Sequence, residues 1–216
     1  MADAGDSPAA LADERLRLVF LCAHPALAPE AAAALTLRLV LGVSTADLAR
    51  LFLVAEPTMA ARLTRARKKL ALAGVPFAPP TPERVAERID VVATVAYLAF
   101  TAGYAPGSGP DVVRAELAGE AIRLTRLLRQ LLNGYAAQPP TAGTLLDALL
   151  ALMLLQHSRR DARVDAAGLV VLLPEQDRAR WHHDEIAEAL DLIARLTDGS
   201  VALDARTSEF LLQALI

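Results

Sequence analysis

The chain has 216 residues, 54% of them hydrophobic but only 4% aromatic, so its apolar content is mostly Ala, Leu and Val. That suits tightly packed helices rather than sandwiches, and an all-α fold is expected. A formal net charge of −3 excludes a general polyanion binder and makes any nucleic-acid surface a local one.

The single cysteine, Cys22, excludes an intramolecular disulfide and a Cys-rich zinc site, and it fits a reducing cytosol. Residues 1–14 are acidic and polar rather than basic then apolar, so no signal peptide is expected. The longest apolar run, Ala148 to Leu155, falls short of the roughly 20 residues that cross a bilayer. A cytoplasmic protein with no membrane partner is the expectation.

In chain order, residues 1–10 read as a lead-in. A helix is predicted from near Leu11, with Leu16, Val19 and Phe20 on one side, and Pro25 and Pro29 punctuate its end. Glu30 to Leu41 reads as a second helix that Gly42 stops. Ser44 sits where an N-cap is wanted, with Asp47 three positions on in a loose capping box. A short helix to about Phe52, a connection over Leu53 to Ala55, and a further helix from near Pro57 to Leu72 complete a helix-turn-helix over 44–70.

The last helix of that motif carries Arg62, Arg65, Arg67, Lys68 and Lys69. At about 100° per residue, Thr58, Arg62, Arg65 and Lys69 fall in one stripe, beside an apolar stripe of Met59, Leu63, Ala66 and Leu70. A helix packed by the second stripe can present the first to a major groove, where Arg pairs with guanine edges, while Arg67 and Lys68 hold phosphates. A charged face with Lys and Arg towards its C-terminus is also what the macrodipole favours on any exposed helix.

Ala73 to Pro82 holds four prolines and a glycine and reads as a linker (73–82) between residues 1–72 and a longer part, 83–216. Helices are predicted there over Pro82 to Tyr104, Asp111 to Leu132, Thr144 to Arg159, Asp184 to Leu196 and Thr207 to Ile216. In the first, Val85, Ile89, Val92, Ala96 and Ala99 recur at helical spacing. The third is nearly apolar all round and belongs in the middle of a bundle. In the fourth, Ile186, Leu190 and Ile193 are expected to face inward. Arg163 to Leu173 reads as two short strands about a turn, or an irregular crossing.

Other constellations carry little chemistry. Adjacent His182 and His183 point about 100° apart on a helix and chelate one ion poorly, so no metal is expected. Cys22 and His24 lack an orienting acid and an oxyanion site, and no phosphate-cradling glycine loop is present, so neither enzyme activity nor a cofactor is expected. Arg159, Arg160 and Arg163, with Asp161, read as a solvated corner, with an anion or partner site as the alternative.

From Arg15 onward, the run RLRLVFLCAHPALAPEAAAALTLRLVLGVSTADLARLFLVAEPTMAARLTRARKKL resembles region 4 of bacterial RNA polymerase sigma factors of the extracytoplasmic-function (ECF) group. AYLAFTAGY, GEAIRLTRLLRQLL, LMLLQHSRRDARVDAAG and LLPEQDRARW are similar to the ECF branch with a long helical C-terminal extension resembling tetratricopeptide repeats (TPR). The resemblance implies a four-helix region 4 that recognises the promoter −35 element and docks on the β flap of the polymerase core. It implies that Thr58, Ala61, Arg62 and Arg65 approach bases and that Lys68 and Lys69 serve the DNA backbone. It also leaves room for an anti-sigma or other regulatory partner on the extension. The alternative is a helical protein- or ligand-binding scaffold that gates the DNA-binding module, for instance by packing over the 58/62/65/69 face.

Two departures stand out. Leu53 occupies the position where a turn glycine is common, and Ala55 the position where a capping serine is common; Pro57 compensates in part at a first-turn position. No basic, aromatic-rich segment precedes Arg15, so region 2, which opens the −10 element, is expected to be absent from this chain, and the apolar ending LLQALI suggests that more sequence follows.

Overall fold

The computed structural model describes residues 14, 17–74, 82–104, 111–133, 140–166 and 169–216. Among these the fold is all-α, with no strand. Residues 17–22 form a first helical segment, α1. It is followed by α2 (Pro29–Leu39), α3 (Thr45–Leu51), α4 (Glu56–Leu72), α5 (Pro82–Tyr104), α6 (Asp111–Asn133), α7 (Pro140–His157), α8 (His183–Thr197) and α9 (Ala205–Leu215). The helix start predicted near Leu11 and most of the linker lie outside the described residues.

In residues 17–72 the helices are set by local signals. Pro29 opens α2, and Gly42, at φ +69°, takes the left-handed conformation just past its end, where a Cβ would cost energy. The Ser44 hydroxyl caps α3 by accepting from the Asp47 amide at 3.0 Å, and it donates back to the Asp47 carboxylate at 2.6 Å. Thr36, on the buried face of α2, satisfies its hydroxyl on the Ala32 carbonyl at 2.8 Å. Cys22 is buried beside it, and burial pushes its thiol up to about 12, which removes it as a nucleophile at neutral pH.

In residues 82–216, α7 is the centre. Leu145, Leu146, Leu149, Leu150, Leu152, Met153 and Leu154 are all buried, because α5, α6, α8 and α9 pack around them. An all-round apolar helix can be stable in water only in that position. Ion pairs fix the outer helices: Arg129 of α6 pairs with Asp147 of α7, and Arg126 of α6 reaches Glu188 of α8, with Nε donating at 3.1 Å. The Tyr97 and Phe210 rings, 5.3 Å apart, join α5 to α9.

The structure revises three expectations here. Ile193 of α8 is buried as expected, but Leu190 is exposed and Ile186 only half-buried, and Ala189, Leu192 and Leu196 complete the buried face, so the inward stripe is turned by about one residue. The two strands expected over 163–173 reduce to one antiparallel bridge between Val164 and Val170, flanked by 3-10 turns. The arginine corner is not simply solvated. Arg160 donates to Glu185 at 2.8 Å, Glu185 meets His157 at 2.9 Å, and His182 meets Asp161 at 2.7 Å, locking the end of α7 to the start of α8.

The two parts of the chain touch through α2 and α5. Arg88 of α5 is 6% exposed and donates to the Phe20 carbonyl of α1 at 2.6 Å. A cleft of 420 Å³ opens at this junction, lined by His24, Pro25, Leu27, Ala32, Arg88 and Val91.

Candidate nucleic-acid interface

The candidate site is the outer side of α4. Its inner side is the expected apolar stripe: Met59, Leu63 and Ala66 are buried against α2 and α3, and Leu70 is half-buried. Burying Met59 and Leu63 is worth about 1.5–3 kcal/mol each, which is enough to hold the helix in one rotation.

That rotation decides what faces out. Thr58, Ala61, Arg65, Lys68 and Lys69 are exposed, and Arg62 is half-buried. On a helical projection Arg62 lies only about 70° from the centre of the packed stripe, whereas Ala61 and Lys68 lie opposite it. The predicted stripe therefore splits: Ala61, Arg65 and Lys68 mark the outermost line, Thr58 and Lys69 flank it, and Arg62 leans inward. Arg62 rests with its guanidinium carbon 5.8 Å from the centre of the Phe52 ring. This brace limits the conformations Arg62 must lose to make a contact. Phe52, at the end of α3, was not anticipated as part of the site. Its signal is an aromatic ten residues before an arginine across a tight turn.

None of Arg62, Arg65, Arg67, Lys68 and Lys69 pairs with a carboxylate among the described residues. The patch is an uncompensated local cluster on a chain of net charge −3. Asp47 and Arg50 of α3, nearby in the motif, neutralise one another. Such a surface attracts polyanions by releasing their counterions, with a strength that falls as salt rises.

The turn departs from the usual chemistry at both anticipated positions. Leu53 takes φ +53°, the left-handed region a glycine occupies without strain, and its side chain is 92% exposed. Ala55 occupies the N-cap of α4 in an extended conformation and provides no side-chain hydrogen bond. Glu56 and Pro57 take the first two helical positions, so Pro57 stands one place later than the first. The Glu56 charge complements the helix dipole, and Pro57 removes an amide that would lack a partner.

No other chemistry converges at this face. Among the described residues no group of three or more His, Cys, Asp and Glu could hold a metal ion, and no helix is long and apolar enough to cross a membrane.

Residues 17–70 match the family model "Sigma-70, region 4", the DNA-binding, non-enzymatic domain of a transcription initiation factor. The match ends at Leu70, so it takes in both helices of the motif, and it makes the chain sigma-factor-like. An uncharacterized protein of Rhizobium meliloti (strain 1021) is 49% identical over 181 residues, which cover 84% of this chain and 41% of that protein. The chain thus spans about two fifths of the length of this curated relative. No solved structure matches the chain. A second family model matches residues 88–197, from Arg88 at the junction to Thr197 at the end of α8, and on that match the chain belongs to a family of unknown function, DUF6596.

Proposed function

We propose that the chain is a transcription initiation factor of the ECF type, in which residues 1–72 recognise the promoter −35 element through α4 and residues 83–216 form a regulatory, TPR-like helical extension. The observation that carries this reading is the exposed, uncompensated face of α4, which lies within the segment that matches sigma-70 region 4. Thr58, Ala61 and Arg65 approach base edges in the major groove. Arg62, braced on Phe52, approaches from the flank, and Lys68 and Lys69 meet phosphates. The partners are promoter DNA and the β flap of the RNA polymerase core in the cytoplasm, with an anti-sigma or other regulatory protein on the extension.

The test is a titration of the full chain on promoter duplexes at several salt concentrations. The expected result is a log–log salt slope of about −3 or steeper, as neutralising three or more phosphates requires. A flat salt response refutes the interface.

A second reading is favoured by the α2–α5 contact: the extension gates the DNA-binding module. It does not do so by covering α4, because Thr58, Ala61, Arg65 and Lys69 remain exposed. Gating passes instead through the Arg88 to Phe20 bond at the back of the module. Arg88→Gln should then alter DNA affinity without touching α4, and unchanged affinity dismisses the gating.

A further inference from the structure

The C-terminal end of α5 gathers two arginines that the DNA-binding reading does not use. Arg163 stacks with its guanidinium carbon 3.6 Å from the centre of the Tyr104 ring, and its Nη1 donates to the Tyr104 carbonyl at 2.7 Å. Arg159 approaches the same residue from the end of α7, its Nη2 donating to the Tyr104 hydroxyl at 3.4 Å. Both arginines are half-buried.

Neither has a carboxylate partner among the described residues, although acids stand close in sequence. Those acids, and Glu185 from α8, are engaged elsewhere: Asp161 with His182 at 2.7 Å, Asp165 with the Leu169 amide at 2.9 Å, and Glu185 with His157 at 2.9 Å and Arg160 at 2.8 Å. Arg160 is therefore neutralised, and Arg159 and Arg163 are left as a pair of like charges around one tyrosine. Burial lowers the pKa of Arg163; Tyr104 works against this, and the neighbouring charge of Arg159 adds to it.

A single arginine on the last carbonyl of a helix needs no further explanation, since it completes a helix C-terminus. A second one, whose one bond among the described residues is a 3.4 Å contact, adds repulsion without adding a cap. From these observations we propose that Arg159, Arg163 and the Tyr104 hydroxyl form a binding site for a phosphate group of a small molecule.

The chemistry selects the class. Each guanidinium is a planar fork of donors, most of them uncommitted among the described residues, and matches the oxygens of a phosphate or carboxylate. Two positive charges on one point match a dianion better than a monoanion, which favours a phosphate group over a single carboxylate. DNA bound at α4 is not the source. Tyr104 lies about 24 Å along α5 from Arg88, where that helix meets the DNA-binding module. The inference goes beyond the proposed role in promoter recognition and stands without it.

The test uses the full chain and inorganic phosphate, titrated calorimetrically against chloride at equal ionic strength, with acetate as the carboxylate arm. Saturable phosphate binding is expected, with acetate at least about tenfold weaker. Arg159→Gln should weaken phosphate about tenfold or more, because a hydrogen bond to a charged group is worth a decade of affinity or more. Arg195→Gln, which removes an exposed arginine on α8, should bind as the wild type does. Thermal unfolding of Arg159→Gln should remain near wild type, since among the described residues that side chain makes one hydrogen bond, at 3.4 Å. If this variant does not fold, the wild type still decides by NMR: phosphate should shift the side-chain Nε–H signals of Arg159 and Arg163 and spare that of Arg195. Absence of saturable binding, equal loss in Arg195→Gln, equal affinity for acetate, or unmoved Arg159 and Arg163 signals each overturns the proposal.

Discussion

Replacing Leu53 by glycine isolates the strain in the helix-turn-helix. Leu53 sits at φ +53° with a side chain 92% exposed, so the substitution removes a steric conflict and almost no packing. A left-handed conformation costs an L-residue about 1–2 kcal/mol. Glycine returns part of that gain, because its unfolded chain is freer by about 0.5–1 kcal/mol. The net expectation is about 0.5–1 kcal/mol of added stability, or roughly 1–4 °C in Tm for a domain of this size. Scanning calorimetry of wild type, Leu53→Gly and Leu53→Ala measures it. Alanine keeps the Cβ and therefore the strain, so only the glycine variant should gain. A glycine variant no more stable than the alanine variant refutes the assignment of strain to this backbone position.

Two more changes follow from the same structure. Ala55→Ser should give α4 the side-chain cap it lacks and stabilise the chain by about 0.5–2 kcal/mol, read by urea unfolding. Burial pushes the Glu185 carboxyl up, but the hydrogen bond and charge of His157 and the charge of Arg160 outweigh it and hold it below its ordinary value of 4.5. A carboxylate depressed by folding stabilises above its unfolded pKa and loses that contribution as pH falls through its folded value. Wild type should therefore be more stable than Glu185→Gln at pH 7, and the gap should close as pH is lowered below 4.5. A gap independent of pH would mean that packing, not ionisation, holds α7 to α8.

Much of this architecture could be read from the residues because single side chains set it. The start of α5 at Pro82, the cap at Ser44, the stop at Gly42 and the central place of α7 all follow from local chemistry or from a fully apolar helix. Elsewhere tertiary packing decided. Leu190 fits a helical stripe as well as Leu192 does, and only the placement of α7 selects between them. The exposed face of α4 was legible as a set, but the inward lean of Arg62 depends on Phe52, a contact across the turn. The corner at 159–163 looked like surface because its partners, Tyr104, His157 and Glu185, are distant in sequence or hidden in an apolar run. The strain at Leu53 had a signal, a leucine where a glycine is common, and the structure gives it a dihedral angle.

The proposal that α4 reads DNA bases is tested most directly by selecting binding sites from a random duplex pool with the full chain and with Arg65→Ala. Wild type should enrich one sequence motif, and Arg65→Ala should lose preference at one or two of its positions, at a cost of about 1–3 kcal/mol on the selected site. An enriched motif left unchanged in Arg65→Ala, or no enriched motif at all, would contradict the assignment of α4 as the reading helix.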